Sequence, residues 1–134
     1  MSRRKGRNVA VQILYQLEMN GQDIEQNLPV FWEHHGYSDD IKVFAERLAR
    51  GVCENRESID AVIVETARNW SLDRIAPIDR SILRAAIYEI LHCEDIPYKV
   101  TLNEAIELGK KFGCDKSGAF INGVLDSVAG VKNK

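Results

Sequence analysis

Four cations crowd the first seven residues, Arg3, Arg4, Lys5 and Arg7, with no acid among them. A second group, Lys110, Lys111 and Lys116, brackets a turn at Gly113, with Ser117 and Phe120 just beyond it. Gathered cations suit phosphate, most of all the first group, which has no acid among it. Each contact releases counterions, giving an affinity that falls steeply with salt. A phenylalanine beside them can stack on an unpaired base, the usual way single-stranded RNA is held. Ser117 adds a hydroxyl at a helix start, where anions are favoured. The plainer alternatives are a solvated terminus for Arg3, Arg4, Lys5 and Arg7 and core packing for Phe120, one position off an Ile121-Val124-Leu125 stripe.

Bond-making chemistry finds little to work with. No phosphate-binding glycine loop, dinucleotide fingerprint, zinc-protease helix or nucleophile elbow is present. Cys53, Cys93 and Cys114 are too far apart for a C-x-x-C pair, and His34, His35 and His92 have no metal-ligand spacing. His92 and Cys93 are adjacent, but neighbouring helical residues point apart, so they make a poor base and nucleophile. All three thiols are expected reduced, in or near the core. Glu89, Glu94, Glu104 and Glu107 are spread over different helices or faces. The expectation is a binding protein, with no enzymatic activity, no metal and no cofactor.

The elements that position these residues all follow a helical period. From Ile96 to Asp126 the chain reads helix, tight turn, helix. Thr101 and Glu104 have the spacing of a capping box, and Leu102, Ala105, Ile106, Gly109 and Phe112 form one apolar stripe. Gly113 is expected to end that helix in a left-handed conformation, with Asp115 or Ser117 capping the next. Upstream, a first helix is expected over Arg7–Met19, ended by Asn20-Gly21, and a short one over Asp23–His35, with Pro29 in its first turn or at a kink. A third spans about Asp39–Cys53, and a fourth Glu57–Asn69, with Trp70 closing the core. Ser71–Ile75 can form one further turn. The helix from Pro77 or Ile78 to His92 carries two apolar rows, Ile82-Ala86-Ile90 and Leu83-Ile87-Leu91, and belongs in the middle of the bundle. Asp79, Arg80 and Arg84 fall on its other rows, where a salt-bridged exterior explains them. Tyr15 sits at the edge of the first stripe. No period-two stretch competes, and the reading is all-α, seven helices, one domain over residues 1–134 with a basic arm at 1–7.

Composition agrees. The chain has 134 residues, 45% hydrophobic and 28% charged, which suits one soluble core. No apolar run approaches the roughly 20 residues of a membrane span, and the basic start lacks the apolar centre of a secretory signal. A cytoplasmic location is expected. Net charge is −2, but the first seven residues hold four cations, leaving 14 basic against 20 acidic residues, a balance of −6. A basic arm on an acidic body suggests one localised anion contact.

The stretches VTLNEAIELGKKFG (Val100 to Gly113) and FINGVLD (Phe120 to Asp126) resemble the C-terminal signature of the NusB family of bacterial transcription antitermination factors. DRSILRAAIYEI (Asp79 to Ile90) and AVQILYQ (Ala10 to Gln16) fit the same family, and the likeness runs from about Arg7 to Asp126. It implies a helical domain of two three-helix bundles. It further implies a protein that binds boxA-type single-stranded RNA of ribosomal RNA leaders together with NusE (ribosomal protein S10), helping RNA polymerase in an antitermination complex to pass terminators. By the same resemblance the RNA contacts are Arg3, Arg4, Lys5, Arg7, Asp79, Lys110, Lys116, Ser117 and Phe120, and the partner contacts Tyr15, Arg80 and Arg84. Two other readings stand beside it: a protein-only helical module, such as a homodimer burying its RNA face, and the RNA-binding part of a ribosomal RNA methyltransferase without its catalytic half.

Overall fold

A computed structural model of the protein describes residues 2–132. Among these residues there are seven α-helices, one 3-10 turn and no strand: α1 (Ser2–Asn20), α2 (Ile24–His34), α3 (Asp39–Glu54), α4 (Arg56–Thr66), the turn Leu72–Arg74, α5 (Pro77–His92), α6 (Tyr98–Phe112) and α7 (Ser117–Lys132). The all-α reading holds.

α5 lies at the centre, packed against α1, α3, α4, α6 and α7. Its composition explains this position. Ile82, Leu83, Ala86, Ile87 and Ile90 are buried, and so are Arg80, Arg84 and Glu89, so nearly the whole circumference is covered. Pro77 begins the helix, where its fixed φ is favourable and its missing N–H costs no hydrogen bond. α1 and α3 approach closely because Gly6 faces Phe44; a Cβ on Gly6 would lie 2.8 Å from the ring. α3 meets α5 the same way, with the Tyr88 ring lying over Gly51. α6 and α7 form a hairpin in which Gly109 makes room for Ile121, and the Tyr98 hydroxyl donates to Asp126 at 2.9 Å.

Several local expectations are corrected. α1 starts at Ser2, not Arg7, so the basic arm is the first turns of a helix. α6 starts at Tyr98 with Pro97 as its N-cap, a turn before the Thr101-Glu104 pair. Thr101 is therefore inside the helix and buried, its hydroxyl donating to Glu89 at 2.9 Å, while Glu104 is held by Arg4. Asp23 and Gln26 make a capping box instead, at the start of α2. Pro29 lies past the first turn of α2, where it leaves the exposed Glu25 carbonyl without its helical donor. Gly113 has φ −93°, not a left-handed value. Its need is for space, since a Cβ there would lie 2.2 Å from Ser117 Oγ. α4 stops at Thr66, and Trp70 is 50% exposed, outside the core it was expected to close. Cys93 is buried and Cys53 partly so, with burial pushing both thiols up, but Cys114 is exposed.

Candidate nucleic-acid interface

The segment between α4 and α5 and the start of α7 face each other across a cleft of about 240 Å³, lined by Trp70, Arg74, Ile75, Ala76, Asp79, Cys114, Lys116, Ser117 and Phe120. Four of the sequence-predicted residues, Asp79, Lys116, Ser117 and Phe120, are thus brought to one place from positions up to 41 apart. Phe120 is half-buried at the core's edge, and the exposed Trp70 ring stands edge-on to it at 6.1 Å. That pairing leaves aromatic surface open to the cleft, a geometry in which a flat ring can be held.

Asp79 lies beside this aromatic surface and is only 7% exposed. The Ser117 hydroxyl donates to its Oδ2 at 3.1 Å, and that same hydroxyl accepts the Cys114 N–H at 3.0 Å. The sequence offers the Ser117 hydroxyl to an incoming anion; Ser117 is instead buried, and its hydroxyl orients Asp79. Burial raises the Asp79 carboxyl above the usual carboxylate range, and the Ser117 hydrogen bond works against that shift. Backbone N–H groups at Lys116 and Ser117 and the Ser117 side chain lower the Cys114 thiol. Lys110 is on the neighbouring surface of α6, in an exposed pair with Glu107 at 3.4 Å.

The N-terminal cations divide into two classes. Arg7 is 6% exposed and makes three hydrogen bonds of 2.9–3.1 Å to Glu89, which also accepts from Thr101. It is a buried structural ion pair, and its assignment as an RNA contact is withdrawn. Arg3 and Arg4 are on the surface, paired with Asp95 at 2.9 Å and with Glu104 at 2.9 and 3.0 Å. Hydrogen bonds from Arg47 and Arg3 hold Asp95 well below the carboxylate range. The Lys5 ammonium lies 5.4 Å from the Tyr37 ring centroid. These three stay accessible.

The partner residues also separate. Tyr15 is exposed on α1, beside Gln12, Gln16, Pro77, Ile78 and Phe112 in a second, open depression. Arg80 and Arg84 are not on the exterior. Arg80 donates to the carbonyls of Leu72 (3.0 Å) and Ile75 (2.6 Å) and pairs with Glu18, while Arg84 pairs with Asp60 at 2.8 Å and Glu18 at 3.4 Å. Both are buried by α1 and α4 packing on α5, so neither meets a partner directly. Arg80 instead fastens the cleft's 3-10 wall to α1. Sequence reasoning missed Trp70, Arg74 and Cys114. The available signal was a tryptophan at a helix end followed by Ser-Leu-Asp, which places an indole on a turn.

Among the described residues no helix is long and apolar enough to cross a membrane. The NusB family model matches residues 4–130. The chain is 43% identical over 126 residues to the transcription antitermination protein NusB of Syntrophus aciditrophicus, covering 94% of this chain and 78% of that protein. It is 45% identical over 136 residues to the same-named protein of Desulfitobacterium hafniense, covering 100% and 92%. Among solved structures it is similar to T. maritima NusB, at 40% identity and TM-score 0.87, covering 96% and 90% of the two chains. A chain from the crystal structure of antitermination factors NusB and NusE in complex with dsRNA agrees in fold, with TM-score 0.84 at 23% identity and 97% coverage of each.

Proposed function

The chain belongs to the NusB family, and on that premise we propose that it is a transcription antitermination factor. It binds boxA-type single-stranded RNA of ribosomal RNA leaders together with NusE, and promotes read-through by RNA polymerase in the antitermination complex. One domain, residues 1–134, does this work in the cytoplasm by binding alone, with no bond made or broken. The observation that carries the reading is the Trp70–Phe120 cleft with Asp79 inside it and Lys116 and Arg74 among its lining residues. Aromatic surface takes a base, and cations take its phosphates. Lys110 on the neighbouring surface of α6, and Arg3, Arg4 and Lys5 towards the other end of α5, add sequence-blind phosphate affinity, Ser117 orients Asp79, and Tyr15 meets the partner.

Charge explains the need for NusE. The body outside the first seven residues carries −6, and a net-negative surface repels phosphate at low ionic strength. A basic partner docked beside the exposed cations enlarges the footprint. Coupling of about 1–3 kcal/mol is expected, and it is reciprocal, so RNA tightens NusE binding by the same factor. Titrating labelled boxA RNA with and without saturating NusE tests it. Equal affinities in the two titrations overturn the cooperative mechanism.

A further inference from the structure

The 3-10 turn Leu72–Arg74 sets two residues of the cleft wall, Arg74 at its end and Trp70 just before it. Such a turn has poor hydrogen-bond geometry of its own. Its local bonds run from the Arg74 N–H to Ser71 and from the Ile75 N–H to Leu72, at 3.0 and 3.3 Å. Ile75 is anchored in the core, but Trp70 is exposed. Among the described residues, the side-chain hydrogen bonds that this segment accepts all come from Arg80. Its Nη1 donates to the Leu72 carbonyl at 3.0 Å and to the Ile75 carbonyl at 2.6 Å, while Nη2 pairs with Glu18 on α1. Arg80 itself is only 8% exposed, so RNA in the cleft does not meet its charge.

We infer that Arg80 is a positioning residue for RNA binding, which locks the turn to α1 through Glu18 so that Trp70 and Arg74 stand ready before RNA arrives. The inference rests on the antitermination reading and adds a residue that acts on RNA without touching it. A buried ion pair contributes little net stability over apolar side chains of similar size. What an arginine gives here is direction. Its planar fork aims donors at two carbonyls on one side and a carboxylate on the other, which a flexible ammonium does not reproduce. A wall fixed in advance also removes part of the ordering cost of binding. Arg84 is the natural comparison. It is equally buried and pairs with Glu18 and Asp60, yet it makes no hydrogen bond to the turn.

The test compares Arg80→Met with Arg84→Met in the full chain. Neither strands a carboxylate, since Glu18 keeps the other arginine and Asp60 keeps Arg56 at 3.1 Å. The chain has two tryptophans, so a Trp32→Phe background reports on Trp70 by itself. In the free protein, Arg80→Met should open Trp70 to acrylamide quenching, and with saturating NusE it should lose about tenfold in boxA RNA affinity, within the range that a stacking aromatic contributes. Arg84→Met should change neither. On a Trp70→Ala, Arg74→Ala background, Arg80→Met should cost no further affinity, because the residues it positions are gone. Arg80→Lys keeps a cation beside Glu18 without the fork and carries the same comparison if Arg80→Met does not fold. Unchanged quenching or affinity in the Arg80 variant, an equal effect in Arg84→Met, or a further loss on the double-alanine background overturns the inference and leaves the antitermination reading standing. A wild type that binds no boxA-type RNA overturns both.

Discussion

Arg7 belongs to the fold, so its replacement should be felt in stability before it is felt in RNA binding. Its guanidinium and the Glu89 carboxylate are both buried, with Glu89 2% exposed and Thr101 filling a further acceptor site. Replacing Arg7 with Met leaves that carboxylate charged in the interior with one neutral donor. Removing one partner of a buried pair costs about 3–5 kcal/mol, a large share of the roughly 5–15 kcal/mol that keeps a domain folded. For a chain of this size the melting temperature should fall by roughly 10–20 °C. Arg7→Met with Glu89→Leu should recover most of the loss, because a buried ion pair exchanges for apolar side chains at little net cost. Thr101 is not stranded by that change, since a helical threonine can turn its hydroxyl to the carbonyl four residues back. Urea denaturation of the wild type, both single variants and the double variant closes the cycle. Under conditions where Arg7→Met is folded, its slope of log affinity against log salt should match the wild type. A stable Arg7→Met whose slope is shallower by about 0.7, the size of one lost single-strand phosphate contact, refutes the reasoning.

Phe120→Ala should weaken RNA binding by about 1–3 kcal/mol and cost less stability than the roughly 3–5 kcal/mol of a fully buried phenylalanine, because the ring is only half-buried; a full core-sized loss in calorimetry with unchanged RNA affinity retires the stacking role. Asp79 has a raised pKa, so its stabilising contribution is complete below the unfolded value of about 3.9 and is lost as pH rises through the folded value. Asp79→Asn should therefore gain on the wild type in thermal melts from about pH 4 towards neutrality, and a difference that does not vary with pH contradicts this. Gly113→Ala should cost about 1–3 kcal/mol by overpacking and shift Ser117 off Asp79, since its Cβ would lie 2.2 Å from Ser117 Oγ; unchanged denaturation disproves the close approach.

Local pattern made the helices legible, and separation along the chain hid most of the rest. The two apolar rows of α5 predicted its central place because a helix apolar over so much of its surface has nowhere else to go. Its arginines were misplaced by the same rule, which puts charge outside. Arg80 and Arg84 are buried because Glu18 and Asp60, from helices distant in sequence, neutralise them there. Gly113 was rightly singled out for the wrong reason. A left-handed residue and a residue crowded by a serine both select glycine, and sequence alone does not distinguish them. The cleft was half legible. Phe120, Lys116 and Ser117 are neighbours on α7 and its approach, whereas Trp70 and Arg74 reach them only through the packing of α4 and α7 on α5.

Arg3 and Arg4 are each paired with a carboxylate in the free protein, Arg3 with Asp95, which it shares with Arg47, and Arg4 with Glu104. These carboxylates act as counterions fixed to the chain. When a phosphate displaces one, the protein releases nothing to solution from that arginine; Glu104, left behind, recruits a cation from the buffer, while Asp95 keeps Arg47. The salt dependence of RNA binding thus understates the number of phosphates held, because some of the exchange takes place within the molecule. Neutralising Asp95 and Glu104 would expose the hidden part: the arginines would then be dressed by mobile salt, and the same contacts would register in the slope.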